Sequence, residues 1–101
     1  MLVIPLATDF LQKVLDREKT STIRFGKRPY PIGLGVLKAG NKTISIEIEN
    51  TRFCSASDLT DRDAQKDGFA DLEELNQQLK RFYPEITPAD LVTVVDFRVK
   101  E

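Results

Sequence analysis

The stretch Thr43-Ile44-Ser45-Ile46-Glu47-Ile48-Glu49-Asn50 decides how the rest of the chain reads. Ile44, Ile46 and Ile48 alternate with Ser45, Glu47 and Glu49, so one face is apolar and the other solvated. That period of two predicts a half-buried strand in an antiparallel sheet. The alternation slips near Asn50, where a bulge is expected before the strand runs on through Phe53. Just upstream, Ala39-Gly40-Asn41-Lys42 supplies the turn from a shorter strand over residues 34–37.

Working outward, Leu2-Val3-Ile4 reads as a strand stopped by Pro5. Thr8 or Asp9 is placed to cap a helix, with Gln12 three residues after Asp9 completing a capping box. Phe10, Leu11, Val14 and Leu15 then share one helical face until about Glu18. Lys19 to Phe25 is rich in β-branched residues and predicts a strand. Pro29 and Pro31 around Tyr30 predict an open, exposed loop over residues 26–33. Downstream, Thr60 caps a brief helix through Lys66 that Gly68 ends. Leu72, Leu75, Leu79 and Phe82 mark a longer helix behind Asp71, stopped by Pro84, and residues 91–99 read as a closing strand. Five strands, two main helices and one short helix make a single α+β domain over residues 1–101. Its sheet is mostly antiparallel and curled toward a small barrel. Periodicity leaves open whether that barrel closes.

Composition narrows the chemistry. The 101 residues carry 15 Lys+Arg against 16 Asp+Glu, a formal net charge of −1, which excludes a binder driven by bulk positive charge. No DNA partner is expected. With no histidine, neither a Ser-His-Asp triad, a Cys-His dyad nor a His-based zinc site can be built. Cys54 is the sole cysteine, so there is no internal disulfide and no CxxC pair, and it reads as a small buried hydrophobe. No cofactor or metal is expected. No apolar run approaches the ~20 residues of a membrane helix, so no membrane partner is expected either. Met1-Leu2-Val3-Ile4-Pro5 has no basic lead-in and is broken by proline, unlike a signal peptide. A reducing cytoplasm is the expected compartment.

Charge is unevenly spread. From Arg17 to Lys42 seven basic residues face only Glu18; from Asp58 to Glu74 seven acidic residues face Arg62 and Lys66. Both runs suit plain solvated faces. Arg24, Lys27 and Arg28 beside Tyr30 also suit a nucleotide, with cations for phosphate and a ring for a base. Lys19-Thr20-Ser21-Thr22 is the second candidate, because a lysine of lowered pKa can free a hydroxyl oxygen to attack. Thr22 and Arg24 share a strand face. Lys19, three residues from Thr22, falls on the opposite face unless it sits at the strand mouth. An edge strand carrying lysine and threonine is the simpler reading of that run.

Two segments resemble a known family. Glu18-Lys19-Thr20-Ser21-Thr22-Ile23-Arg24 is similar to the G-x-K-T-x-T-x-R signature of ASCH domains, small β-barrels related to the RNA-binding PUA fold. Asp63-Ala64-Gln65-Lys66-Asp67-Gly68-Phe69-Ala70-Asp71-Leu72-Glu73-Glu74-Leu75 resembles the family's A-x-x-E-G-F-x-S-x-x-E-L segment. The order of elements fits as well, so the likeness spans nearly the whole chain. It implies a PUA-like β-barrel. Some short members are amidohydrolases that remove acetyl from N4-acetylcytidine and related N4-acylcytosines, a lysine activating a threonine nucleophile and a glutamate assisting proton transfer; others are linked to RNA binding or ribonuclease activity. Carried over, Lys19 matches the lysine, Thr22 the nucleophile and Asp67 the glutamate, with Arg24 lining the pocket. Thr20, Arg28, Tyr30 and Phe69 complete the expected substrate-binding set, Phe69 reading as a base-stacking ring or as a core plug beside Gly68.

The chain departs from the pattern twice. Asp67 is one methylene shorter than glutamate, with Asp71 and Glu73 as the neighbouring carboxylates, and Gly33-Leu34 stands where the family often carries Gly-Asp. Three functions follow as expectations. The first is a metal-free amidohydrolase of acylated cytidine nucleosides. The alternative is a non-catalytic RNA- or nucleotide-binding module, and the third is a ribonuclease, disfavoured by the missing histidine.

Overall fold

The computed structural model describes residues 2–100; Met1 and Glu101 lie outside the described residues. Strand β4 (Lys42–Ser55) follows the alternation that its sequence carries, with Ile44, Ile46 and Ile48 buried. It pairs with β3 (Gly33–Ala39) through a two-residue turn in which Gly40 takes φ 60°. An L side chain resists that angle and glycine does not. On its other side β4 meets β5 (Leu91–Val99), where Ile48 faces Phe97 and Asn50 faces Asp96. Glu49 is therefore the extra residue of a bulge, where the slip in alternation placed it. The bulge resets the phase, so Thr51 and Phe53 pair with Val95 and Thr93, although Phe53 is left exposed at that end of the sheet.

Two short strands complete the sheet in the order β1-β3-β4-β5-β2. Strand β1 (Leu2–Pro5) lies parallel to β3, and β2 (Ser21–Phe25) lies antiparallel to β5. The sheet curls into a half-barrel around Ile4, Leu37, Ile46, Ile48, Val95 and Phe97. Its edges do not pair. Instead the Arg24 guanidinium on β2 donates to the Pro5 carbonyl on β1, a single side-chain bridge across the seam.

Three helices cover that seam and the adjoining face. α1 (Leu11–Leu15) is shorter than expected and follows one 3-10 turn over residues 8–10. The predicted Thr8 or Asp9 cap is not formed; Ala7 precedes the turn, and Asp9 pairs with Arg81 at 2.8 Å. α2 (Asp61–Lys66) opens on a reciprocal capping box between Thr60 and Asp63. α3 (Leu72–Phe82) opens with the Asp71 carboxylate accepting from Glu74 N–H and ends before Pro84. Its stripe buries Leu75 and Leu79, whereas Phe82 is left exposed. Among the described residues no helix is long and apolar enough to cross a membrane.

Candidate active site

The unpaired seam leaves a cavity of about 220 Å³. Leu6 and Ala7 wall it from the β1 side, Thr22, Ile23 and Arg24 from β2, Leu75, Gln78, Leu79 and Phe82 from α3, and Tyr83 from just past that helix. Phe10, Lys19, Asp67 and Phe69 complete the lining.

Lys19 reaches the cavity because it precedes the strand. β2 begins at Ser21, not at Lys19 as predicted, so the two-residue period does not apply between Lys19 and Thr22. The end of α1 aims the segment. Arg17 N–H donates to Val14 O and Glu18 N–H to Lys13 O, the paired bonds of a Schellman closure. Arg17 takes φ 65° there, a position that favours glycine. It stands at the first place of the G-x-K-T-x-T-x-R pattern, two residues before Lys19. Asp67 arrives from the end of α2, whose last turn its N–H closes onto Asp63 O and Ala64 O. Thr20 N–H ties the two segments together by donating to Lys66 O at 2.7 Å.

Lys19 Nζ lies 2.6 Å from Asp67 Oδ1 and 3.2 Å from the Asp67 carbonyl, and Ser21 Oγ donates to the same carboxylate oxygen at 3.3 Å. Lys19 is 3% exposed and Asp67 5%. The ammonium also lies 5.4 Å from the centre of the Phe10 ring and 6.0 Å from that of Phe69. Burial is the dominant influence on both groups. It pushes the Lys19 ammonium down from the ordinary lysine range and the Asp67 carboxyl up from the ordinary carboxylate range, against their mutual attraction. Arg24 and Lys13 add positive charge that disfavours the Lys19 ammonium further. The pair is thus shifted toward an amine that can take a proton and a carboxylic acid that can give one.

Thr22 lines the same cavity and is 4% exposed; no hydrogen bond among the described residues joins it to Lys19. Arg24 bridges the seam through its terminal nitrogen, while its Nε is buried with no partner among the described residues. Phe69 belongs to the core, as one reading of it expected, and also walls the cavity. Thr20, Arg28 and Tyr30 do not line the cavity. Thr20 Oγ1 faces Lys66 O, Arg28 binds the Phe25 carbonyl and Thr93, and Tyr30 packs on the core. Asp71 is committed to its helix cap and Glu73 is exposed, so neither replaces Asp67. Leu34 is exposed and outside the cavity, and the missing acidic residue there leaves its lining unchanged. Cys54 is partly buried, which pushes its thiol up.

Sequence reasoning missed Gln78 and Tyr83 in the site, named Ser21 only as one hydroxyl of the Lys19–Thr22 run, and assigned Phe10 to the core alone. The aromatic residues carried a signal, since Phe10, Phe82 and Tyr83 flank helix ends, but nothing local pointed Ser21 at Asp67.

No family model matches the sequence, and no curated protein matches it. Solved structures do match. The ASCH domain from Lactobacillus crispatus aligns with a TM-score of 0.80 at 16% identity, over 97% of this chain and 79% of that one. The chain has the ASCH-domain fold. A mutant of the ASCH protein from Zymomonas mobilis aligns with a TM-score of 0.68 at 16% identity, over 95% of this chain and 67% of that one. A protein from Enterococcus faecalis gives 0.74 at 14% identity, over 99% and 76%. The α+β domain with a mostly antiparallel, curled sheet expected from the sequence is thus present, as a half-barrel whose opening is the cavity.

Proposed function

We propose that this ASCH domain is an amidohydrolase that removes the acyl group from N4-acetylcytidine or a related N4-acylcytosine nucleoside. The observation that carries the proposal is the buried Lys19–Asp67 contact of 2.6 Å on the wall of a cavity that Thr22 also lines. The reactive form carries the shared proton on Asp67, and in it the Lys19 amine takes the Thr22 hydroxyl proton as Oγ1 attacks the acyl carbon. Asp67 gives its proton to N4 as the C–N bond breaks, and cytidine leaves. Cytosine is a better leaving group than an alkylamine because its ring delocalises the N4 lone pair. Water then attacks the Thr22 ester and loses a proton to Asp67, Lys19 returns its proton to Oγ1, and the carboxylic acid is released. The unpartnered Arg24 Nε–H is the donor available to the oxyanion.

Asp67 is shorter than the family's glutamate, yet its contact with Lys19 is already closed at 2.6 Å. The lost methylene does not separate the pair. The test is release of cytidine and acetate from N4-acetylcytidine by the wild type, Lys19→Ala and Thr22→Ala. Turnover by the wild type and its loss in both variants is expected. A folded wild type without turnover sinks the proposal for this substrate and favours the nucleotide-binding alternative. In that case binding that falls steeply with salt would report several phosphate contacts.

A further inference from the structure

Lys13 belongs to neither motif and does not line the cavity, yet it touches both halves of the pair. Its backbone carbonyl accepts from Lys19 N–H at 3.0 Å and from Glu18 N–H at 2.9 Å, fixing where the Lys19 side chain starts. Its ammonium donates to the Gly68 carbonyl at 2.6 Å, one residue past Asp67, and lies 5.2 Å from the centre of the Phe69 ring. The turn that it grips has no slack. Gly68 takes φ 94°, and a Cβ there would stand 3.3 Å from both Lys13 Cδ and Lys19 Cβ. The Asp67–Gly68 turn is therefore held between two lysine stems.

We propose that Lys13 is a positioning residue: one end of it sets Lys19, the other sets the turn that carries Asp67, and together they hold the 2.6 Å contact across the cavity wall. Its bearing on turnover rests on the function proposed above; its bearing on the pair does not. The charged groups around Lys19 are Asp67, Arg24 and Lys13, so removing the Lys13 charge removes one of the two cations that disfavour a third.

The variants are Lys13→Met, which keeps the stem and drops the donor, and Lys13→Arg, which keeps both. Lys13→Gln replaces the methionine variant if that one does not fold. Two readouts are taken. The first is the Lys19 side-chain titration by carbon NMR on ligand-free protein, assigned by its loss in Lys19→Met. The midpoint is expected to fall in Lys13→Met, because a loosened contact withdraws the Asp67 support that outweighs the Lys13 charge, and to stay near wild type in Lys13→Arg. The second is turnover of N4-acetylcytidine, with kcat expected to fall about 10- to 100-fold, KM to change little, and arginine to restore most of the loss. A lowered midpoint without wild-type turnover upholds the positioning role and removes the proposed substrate. A raised midpoint, which loss of the Lys13 charge alone would give, or an unchanged one overturns it, as does an unchanged kcat where the wild type turns over. So does a loss of stability with neither readout moved.

Discussion

Removing one member of the Lys19–Asp67 pair should be far more damaging than removing both. Lys19→Met leaves the Asp67 carboxylate buried beside Ser21 with its cation gone. Breaking a buried pair in this way costs about 3–5 kcal/mol. An independent bound follows from proton chemistry, since the orphaned carboxyl escapes by taking a proton. From the ordinary value of 3.8, that escape costs about 4.4 kcal/mol at pH 7 and about 1.6 kcal/mol at pH 5, at about 1.36 kcal/mol per unit. The sign follows from linkage. A folded-state pKa raised above 3.8 means that the folded protein binds more protons, so this group's contribution falls as pH rises from 3.8 through the folded value. Lys19→Met should therefore lose about 4 kcal/mol at pH 7 and only about 1.5–2 kcal/mol at pH 5. Lys19→Met/Asp67→Leu, with no buried charge left at the pair, should lie within about 1 kcal/mol of wild type or above it at both pH values. Urea unfolding of the three proteins at pH 5 and pH 7 reads all of these. A single variant that costs under about 1 kcal/mol at pH 7, or one whose cost does not shrink at pH 5, would refute the reasoning.

Three further outcomes follow. Gly68→Ala forces a Cβ into φ 94° and against both lysine stems, and should cost about 2 kcal/mol or more in urea unfolding while lowering turnover. Arg24→Ala removes the bridge from β2 to Pro5, and should cost about 1–2 kcal/mol and speed amide exchange at Ile4 and Leu6 more than at β4. Glycine relieves φ 65° at the end of α1, so Arg17→Gly should unfold at a higher urea midpoint than Arg17→Ala, by the equivalent of about 0.5–1 kcal/mol, with the cavity unchanged.

What the sequence disclosed and what it withheld divide along physical lines. β4, the bulge at Glu49, the Thr60 box and the Asp71 cap all rest on local periodicity or capping chemistry, and each was legible. The start of α1 was not. Thr8 and Asp9 have the right side chains for a cap, but the chain makes a 3-10 turn and spends Asp9 on Arg81, a partner 72 residues away. Barrel closure was undecidable from pattern because it depends on whether two edge strands meet, and here one guanidinium spans the gap. The motifs brought Lys19, Thr22, Arg24, Asp67 and Phe69 to one cavity, but the basic loop did not follow. Arg28 and Tyr30 are near Arg24 in sequence, yet the turn at Gly26 and the bonds to Thr93 carry them elsewhere. Ser21 and Lys13 make contacts 46 and 55 residues away, which no local pattern encodes.

Should hydrophobic residues replace the buried Lys19–Asp67 pair without loss of stability, the fold does not need the pair, and the role proposed for it is chemistry in the cavity. The most direct test is turnover of N4-acetylcytidine by Lys19→Met/Asp67→Leu beside wild type, once unfolding has shown the two equally stable. Wild-type turnover with a loss of at least about 100-fold in the double variant is the predicted result. Equal turnover by both proteins, or none by the folded wild type, contradicts it.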